Sequence, residues 1–248
     1  MSLEGKVCVV TGGASGMGAA SIRAFANAGA TTVLVDIDKN GADLVAKETG
    51  ALMMIGDVAD SSFCTKVADD VVRNQGQIDI LVNCAGTILR ADAINTSDDE
   101  WRRILAVNVD GVFFMSRAVV RHMIHRASGS IVNFGSIWGD VGASGVTAYC
   151  ATKGAVHQIT KAMALDHVEN GIRVNAVAPG EVNTPMLSSG RLAPPSAADL
   201  ANLAQNTIPM KRLAEPEEIA EVVLFLASDK SSYMTGVIVP VDAGYTAR

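Results

Sequence analysis

Val7-Cys8-Val9-Val10-Thr11-Gly12-Gly13-Ala14-Ser15-Gly16-Met17-Gly18 is the stretch that decides the fold of this 248-residue chain. A short β-rich apolar run stops at Thr11-Gly12-Gly13, and a segment of helical periodicity follows near residues 17–28. Strand, glycine turn and helix in that order open a βαβ unit. Glycine in such a turn permits positive φ, close approach of the backbone to a pyrophosphate, and tight packing of helix on strand. The helix start adds unpaired N–H groups and the positive end of its dipole, both favourable to phosphate. Alone the turn is weak, because many strand-to-helix turns contain glycine.

The same alternation continues along the chain. Thr31 to Ile37, Ile80-Leu81-Val82, Ser130-Ile131-Val132-Asn133-Phe134, Arg173 to Val177 and Val237-Ile238-Val239 are short runs of the kind buried on both faces in parallel sheets. Helical stretches lie between them, near 40–49, 61–75, 98–126, 150–169 and 215–228. Pro216, followed by Glu217 and Glu218, marks the first turn of the last of these. The pattern predicts an α/β domain with helices on both faces of a parallel sheet, spanning residues 1–248 as one unit. Between Pro185 and Pro209 the rhythm breaks; Pro194-Pro195 interrupts any long helix, and the segment reads as a substrate lid or a plain surface insertion.

Asp36 ends the second apolar run, eighteen positions after Gly18. A carboxylate there can accept hydrogen bonds from adenosine ribose hydroxyls and would repel the extra phosphate of NADP. Neither Ile37 nor Ser15 is basic, so NAD is favoured over NADP. The plainer alternative is that Asp36 caps the following helix.

Composition narrows the class. Hydrophobic residues make 49% of the chain and charged residues 19%, which suits a folded domain with a large interior and argues against disorder. The net charge is −6 with no basic run, so neither nucleic acid nor an anionic membrane is an expected partner. Cys8, Cys64, Cys84 and Cys150 lack metal-ligand or disulfide-framework spacing, and no metal site is expected. No secretory signal and no membrane-length apolar run are visible, which reads as a soluble cytoplasmic protein.

Tyr149 and Lys153 stand four apart in a helical segment and share one face. A phenol with its ordinary pKa of about 10 is a poor base at neutral pH. A nearby ammonium and the positive end of a helix both favour the phenolate. Lowering that pKa by about 3 units takes roughly 4 kcal/mol. Ser136 follows a buried strand and can share a substrate oxygen with the phenol. Such a pair on a helix is usually structural, and gains meaning only with the remaining motifs.

Taken together, these motifs resemble the short-chain dehydrogenase/reductases along nearly the whole chain. The glycine turn is similar to that family's T-G-x-x-x-G-x-G, with Gly12, Ser15, Gly16, Met17 and Gly18 in the cofactor positions. Asp57-Val58 resembles its adenine-contacting pair, and Asn83-Cys84-Ala85-Gly86 its N-N-A-G turn, with Cys84 replacing the second Asn. Asn108 lies where the family has a catalytic Asn, Ser136 precedes Tyr149 by thirteen, and Tyr149-Cys150-Ala151-Thr152-Lys153 matches Y-x-x-x-K. Pro179-Gly180, Val182 and Thr184 resemble the segment that holds the nicotinamide carboxamide. The resemblance implies a Rossmann-type doubly wound fold whose seven parallel strands run in the order 3-2-1-4-5-6-7. It also implies hydride transfer between NAD and a secondary alcohol or ketone. Tyr149 would exchange the proton, Ser136 would stabilise the oxygen, Lys153 would tune the phenol and hold the nicotinamide ribose, and Asn108 would link Lys153 to solvent through a water relay.

By the same resemblance the substrate pocket takes its walls from Ile137–Gly142, Ile88–Arg90, Glu181, Val182 and the lid. Trp138 and Glu181 are candidate substrate contacts; Arg90 and Arg191 can bind an anion or sit in solvent. His122 and His125 read as surface residues and His157 as packing. A homotetramer is implied, built mainly on the helices near 100–126 and 149–169, although a dimer has the same sequence signals. Three alternatives stand beside the dehydrogenase: a nucleotide-binding sensor or scaffold with little catalysis, an NADP-dependent 3-oxoacyl thioester reductase, and a lyase or epimerase on the same fold.

Overall fold

In the computed structural model, which describes residues 1–247, the apolar runs become strands of one parallel sheet. The chain runs β1 (Val7–Thr11), α1 (Gly16–Asn27), β2 (Thr31–Asp36), α2 (Lys39–Thr49), β3 (Leu52–Ile55), α3 (Ser61–Gln75), β4 (Ile80–Asn83), α4 (Asp98–Leu105) and α5 (Gly111–Arg126). It continues through β5 (Gly129–Phe134), α6 (Thr147–His167), β6 (Ile172–Pro179), α7 (Ala197–Thr207), α8 (Pro216–Ala227) and β7 (Ile238–Val241). The spatial order is β3-β2-β1-β4-β5-β6-β7, the order the family resemblance implies. Cys8 pairs with Thr32 on one side and Ile80 on the other, so β1 and β4 flank the point where the winding reverses. In open α/β sheets the crevice beyond the carboxyl ends of the strands at that point is where ligands bind.

Alternation along β1 explains the two layers. Val10 faces Ile22 and Phe25 of α1 and Ile219, Val223 and Leu226 of α8. Val9 faces Cys64 and Val67 of α3 and Met115, Val119 and Met123 of α5, with Met163 of α6. Helix ends carry ordinary stop and start chemistry. Asp38 and Asp60 accept from the first-turn amides of α2 and α3, and Gly50 and Gly76 close those helices in the left-handed region. Glu215 and Glu218 form a reciprocal cap around Pro216 at the start of α8.

Three elements depart from the sequence reading. β3 lies at the sheet edge, mostly exposed, and is absent from the apolar runs. The stretch 98–126 is two helices joined by a single π turn at Ala106–Asp110. The segment 185–209 is not all loop, because Ser196 and Asp199 cap α7 after the prolines. No helix among the described residues is long and apolar enough to cross a membrane.

Candidate active site

The loops after β1, β4, β5 and β6 converge above the carboxyl edge of the sheet. Thr11 closes the first of them: its hydroxyl accepts from the amides of Cys84 and Ala85, each at 3.1 Å, which ties the glycine turn to the turn after β4. Gly12 (φ +68°) fits because a Cβ there would lie 2.7 Å from the Ala85 nitrogen. The first turn of α1 is left open, since Ser15 at its N-cap makes no side-chain bond to it. Asp36 reaches back at 2.9 Å to the Ala14 amide and also accepts from Asp38 at 2.9 Å, so its carboxylate is locked onto the rim of the turn. Asp38, not Asp36, is the N-cap of α2.

A cavity of about 320 Å³ lies along this rim. Its walls include Gly12, Ser15, Gly16, Met17, Gly18, Asp36, Ile37, Asp57, Val58, Ala85, Gly86 and Thr184, all of them expected at a cofactor site. A second, smaller cavity of about 80 Å³ holds Ser136, Trp138, Tyr149, Lys153, Pro179, Gly180, Glu181 and Val182. The two share Met17, Cys84, Gly86, Thr184 and Met186 in their walls. The donor set fits a dinucleotide. Unpaired first-turn amides suit the pyrophosphate, a fixed carboxylate suits the ribose hydroxyls, and two linked cavities match an extended ligand with one end at Tyr149.

Asn83 is the exception among the expected cofactor contacts. Its amide donates to Ser116 Oγ at 2.9 Å and to Asn133 Oδ1 at 2.8 Å, inside the layer between β4, β5 and α5. It lies at the end of a fully buried strand whose alternation turns its side chain toward α5, away from the cavities. Asn108 also lies outside the cavity walls. Its side chain accepts from the Thr87 amide at 2.8 Å and donates to Thr87 O and Thr152 Oγ1 at 2.9 and 3.1 Å. A Cβ on Gly86 would meet Asn108 Oδ1 at 3.4 Å and Lys153 Nζ at 3.9 Å, so the glycine separates the two groups. The π turn carries Asn108 to this place.

Tyr149 is in the first turn of α6, and Lys153 is one turn further on, with Nζ 5.5 Å from the phenol ring centre. The expected lowering of the phenol is not found in the protein alone. Burial pushes Tyr149 up to about 12, opposed by a hydrogen bond with Ser136, and the nearby Glu181 also raises it. Lys153 Nζ donates to Phe134 O at 2.7 Å, and burial pushes the ammonium down to about 8. Desolvation is the largest influence on both groups, which four-residue spacing cannot reveal.

The rest of the smaller cavity is mixed. Trp138 packs edge-on to Tyr149 at 6.0 Å, and its indole N–H is buried without a hydrogen-bond partner. Burial raises the Glu181 carboxyl, while Arg90 and Arg191 oppose that rise. Arg90 Nε donates to Ser189 O at 3.0 Å and so bridges the Ile88–Arg90 turn to the lid, which contributes Met186 and Leu187 to the wall. Leu89, Gly139, Asp140, Val141 and Gly142 fall outside that wall. Burial pushes the Cys84 thiol up to about 12, so it sits between the cavities as a neutral packed group. His122 is a surface residue, paired with Asp69 at 2.9 Å. His157 does more than pack: sequence reading overlooked its bonds to the Ser136 turn, although its position one turn after Lys153 was the available signal. No cluster of metal-ligating side chains occurs among the described residues.

A family model described as enoyl-(acyl carrier protein) reductase matches residues 12–246. The chain is 41% identical to a 3-oxoacyl-(acyl-carrier-protein) reductase of Thermotoga maritima, over 98% of this chain and 99% of that protein. It is 43% identical to galactitol 2-dehydrogenase (L-tagatose-forming) of Cereibacter sphaeroides, over 98% and 96% of the two chains. Among solved structures, a 3-ketoacyl-(acyl-carrier-protein) reductase from Brucella melitensis complexed with NADH superposes with a TM-score of 0.92 at 35% identity, covering 99% of this chain and 100% of that one. Whole-length similarity, sheet order and the converging loops lead to one conclusion: the chain belongs to the short-chain dehydrogenase/reductase family of oxidoreductases.

Proposed function

We propose that this protein is an NAD-dependent dehydrogenase/reductase acting on a secondary alcohol or its ketone, with Tyr149 as the acid/base. The observation that carries this reading is the meeting of Ser136, Tyr149 and Lys153 on one cavity that shares walls with the cavity bordered by Asp36. Asp36 supports NAD over NADP, because its carboxylate is held at the rim of the glycine turn, where it would repel the extra phosphate, and neither Ser15 nor Ile37 is basic. Gly12, Ser15, Gly16, Met17 and Gly18 would hold the pyrophosphate, Asp57, Val58, Ala85 and Gly86 the adenosine half, and Pro179, Gly180, Val182 and Thr184 the nicotinamide end.

In reduction, Tyr149 gives its proton to the substrate oxygen, and its raised pKa keeps that proton available across the neutral range. Ser136 holds the same oxygen. In oxidation the phenolate takes the hydroxyl proton, and the Lys153 ammonium stabilises the anion. When bound, NAD would supply the hydride acceptor, and its positive charge would favour the phenolate of Tyr149. Trp138 and Glu181 offer a donor and an acceptor to further polar groups of the substrate. The lid over 185–209 closes the cavity through Met186 and Leu187. Exposed Trp101, Phe113 and Leu165 on α4, α5 and α6 suit the helix pairing of a homotetramer.

The test is a panel of secondary alcohols and ketones assayed with NAD and NADP in parallel, for the natural chain and Tyr149→Phe. The natural chain should turn over with NAD preferred. Tyr149→Phe should lose turnover by about 100- to 10,000-fold while binding NAD within a few-fold of normal. Retained turnover removes Tyr149 from the role, and NADP preference overturns the reading of Asp36. Tight NAD binding with no absorbance change over the whole panel would favour a sensor or scaffold.

A further inference from the structure

We propose that His157 is a positioning residue: in its neutral form it clasps the turn that carries Ser136, and its protonation releases that turn. This rests on the reading that Ser136 holds the reacting oxygen. Tyr149, Lys153 and His157 occupy successive turns on one face of α6, and the third is unused in the transfer described above. Its ring is 2% exposed, while its partner Asp140 is 52% exposed. The Ser136 amide donates to Nε2 at 3.5 Å, and Nδ1 stands 3.0 Å from Asp140 Oδ1. An amide N–H can only donate and a carboxylate can only accept. The partners therefore select one neutral tautomer, with the proton on Nδ1 and the lone pair on Nε2.

The turn is built around this ring. A Cβ on Gly135 would lie 2.3 Å from Nε2, and one on Gly139 would lie 2.5 Å from Cε1. Glycine on both sides of Ser136 thus lets the backbone close on the imidazole. Within the turn the Gly139 amide donates to Ser136 O at 2.9 Å, and the Trp138 amide donates to Ser136 Oγ at 3.2 Å. The hydroxyl's direction is therefore tied to a backbone that His157 anchors.

A second ring proton would set an Nε2–H against the Ser136 N–H, two donors facing each other. Asp140, from the turn, favours the charged ring; Lys153 and Lys161, from α6, oppose it. The adjacent strand β6 brings the Val177 carbonyl here, which accepts from Gly135 N at 2.8 Å. Burial is the largest influence and holds the ring below the usual histidine range. The clasp is closed at neutral pH and opens on acidification.

Ketone reduction is the informative direction, because a protonated phenol adds no acid limb of its own. With NADH saturating, kcat should fall about tenfold per pH unit on the acid side. Asp140→Asn keeps an acceptor for Nδ1–H but removes the charge, and should move that limb about one unit lower. His157→Gln keeps an acceptor for the Ser136 amide without a titrating group; kcat at neutral pH should stay within about threefold and the limb should vanish. Glu181 titrates in the same cavity, so a limb that stays in place in both variants belongs to another group and overturns the proposal. Asp140 is exposed, so its variant remains decisive if His157→Gln fails to fold. The Ser136 amide resonance should follow the His157 ring through its titration. An amide that does not move overturns the clasp even if no ketone in the panel is turned over, an outcome that would sink only the functional reading.

Discussion

Lys153 holds its charge against its surroundings. The residue is 6% exposed, its ammonium donates to Phe134 O, and burial takes its pKa from 10.5 to about 8. The folded pKa lies below the unfolded one, so the unfolded chain binds more protons between them and stability rises as pH climbs from about 8 to about 10.5. Tyr149 works in the opposite sense: the folded phenol keeps a proton that the unfolded chain loses, so stability falls from about pH 10 to about 12. At pH 7 the lysine shift alone corresponds to about 3 kcal/mol of destabilisation. Lys153→Met removes it but leaves the Phe134 carbonyl unpaired, which returns about 1–2 kcal/mol. The variant should be about 1–2 kcal/mol more stable than the natural chain in urea at pH 7, lose that advantage by about pH 10, and lose turnover at every pH. A variant less stable at pH 7, or equally favoured at both pH values, would contradict this balance. At this scale spacing exposed the partners but not their protonation. The Tyr149–Lys153 pair, Ser136 and Asp36 are readable as types at intervals, whereas desolvation belongs to the closed cavity. Asn83 shows the same limit, since only the strand's orientation turns its amide toward Ser116 and Asn133.

At the scale of elements, the unit β1–turn–α1 depends on contact between backbones. A Cβ on Gly18 would lie 2.0 Å from Gly12 O and 2.7 Å from Gly12 C, with no flexible side chain to give way. Alanine ordinarily improves a helix by about 1 kcal/mol over glycine. Here the overlap should push α1 off the turn, for a net loss of about 1–3 kcal/mol. Gly142→Ala is the control, because a Cβ there meets nothing within 4 Å. Urea unfolding should therefore show Gly18→Ala destabilised and Gly142→Ala close to the natural chain; NAD affinity should fall only in the first. Equal effects at both sites would mean that packing on Gly12 is not what requires the glycine. This unit was legible because its glycines, apolar run and helix follow one another locally. β3 was not: Leu52–Ile55 is an edge strand with one neighbour, held by its register with Val33 to Asp36 and not by an alternating pattern. α7 was hidden behind Pro194-Pro195, although its cap, Ser196 with Asp199, is itself a readable start signal.

At the scale of the whole molecule, the site occupies one end of the sheet and Arg173 fastens the other. It stands at the start of β6, beside a hollow of about 830 Å³ formed at the amino ends of the strands. Its guanidinium donates to Leu226 O at 3.0 Å, Ser231 Oγ at 2.9 Å, Ser130 Oγ at 3.2 Å and Ser228 O at 3.1 Å. One side chain thereby joins β5 and β6 to the carboxyl end of α8 and the segment leading into β7. The charge suits the negative end of that helix, and burial lowers the arginine's pKa against the opposing pull of Asp229. No sequence period links Ser130, Arg173 and Ser231; the sheet order brings them together, and that order followed from the family likeness and not from the apolar runs. Arg173→Met should leave several of these acceptors unpaired and cost about 2–4 kcal/mol. In a chain of this length that lowers the thermal midpoint by about 6–12 °C. Arg173→Lys should recover less than half of the loss, because a single ammonium cannot reach both sides as the planar fork does. Well below the melting range both variants should keep the natural kcat, since the fastening stands at the far edge of the sheet from Tyr149. A change in kcat without a change in midpoint would mean that the two ends of the sheet are coupled, and that Arg173 acts on the site and not on the fold.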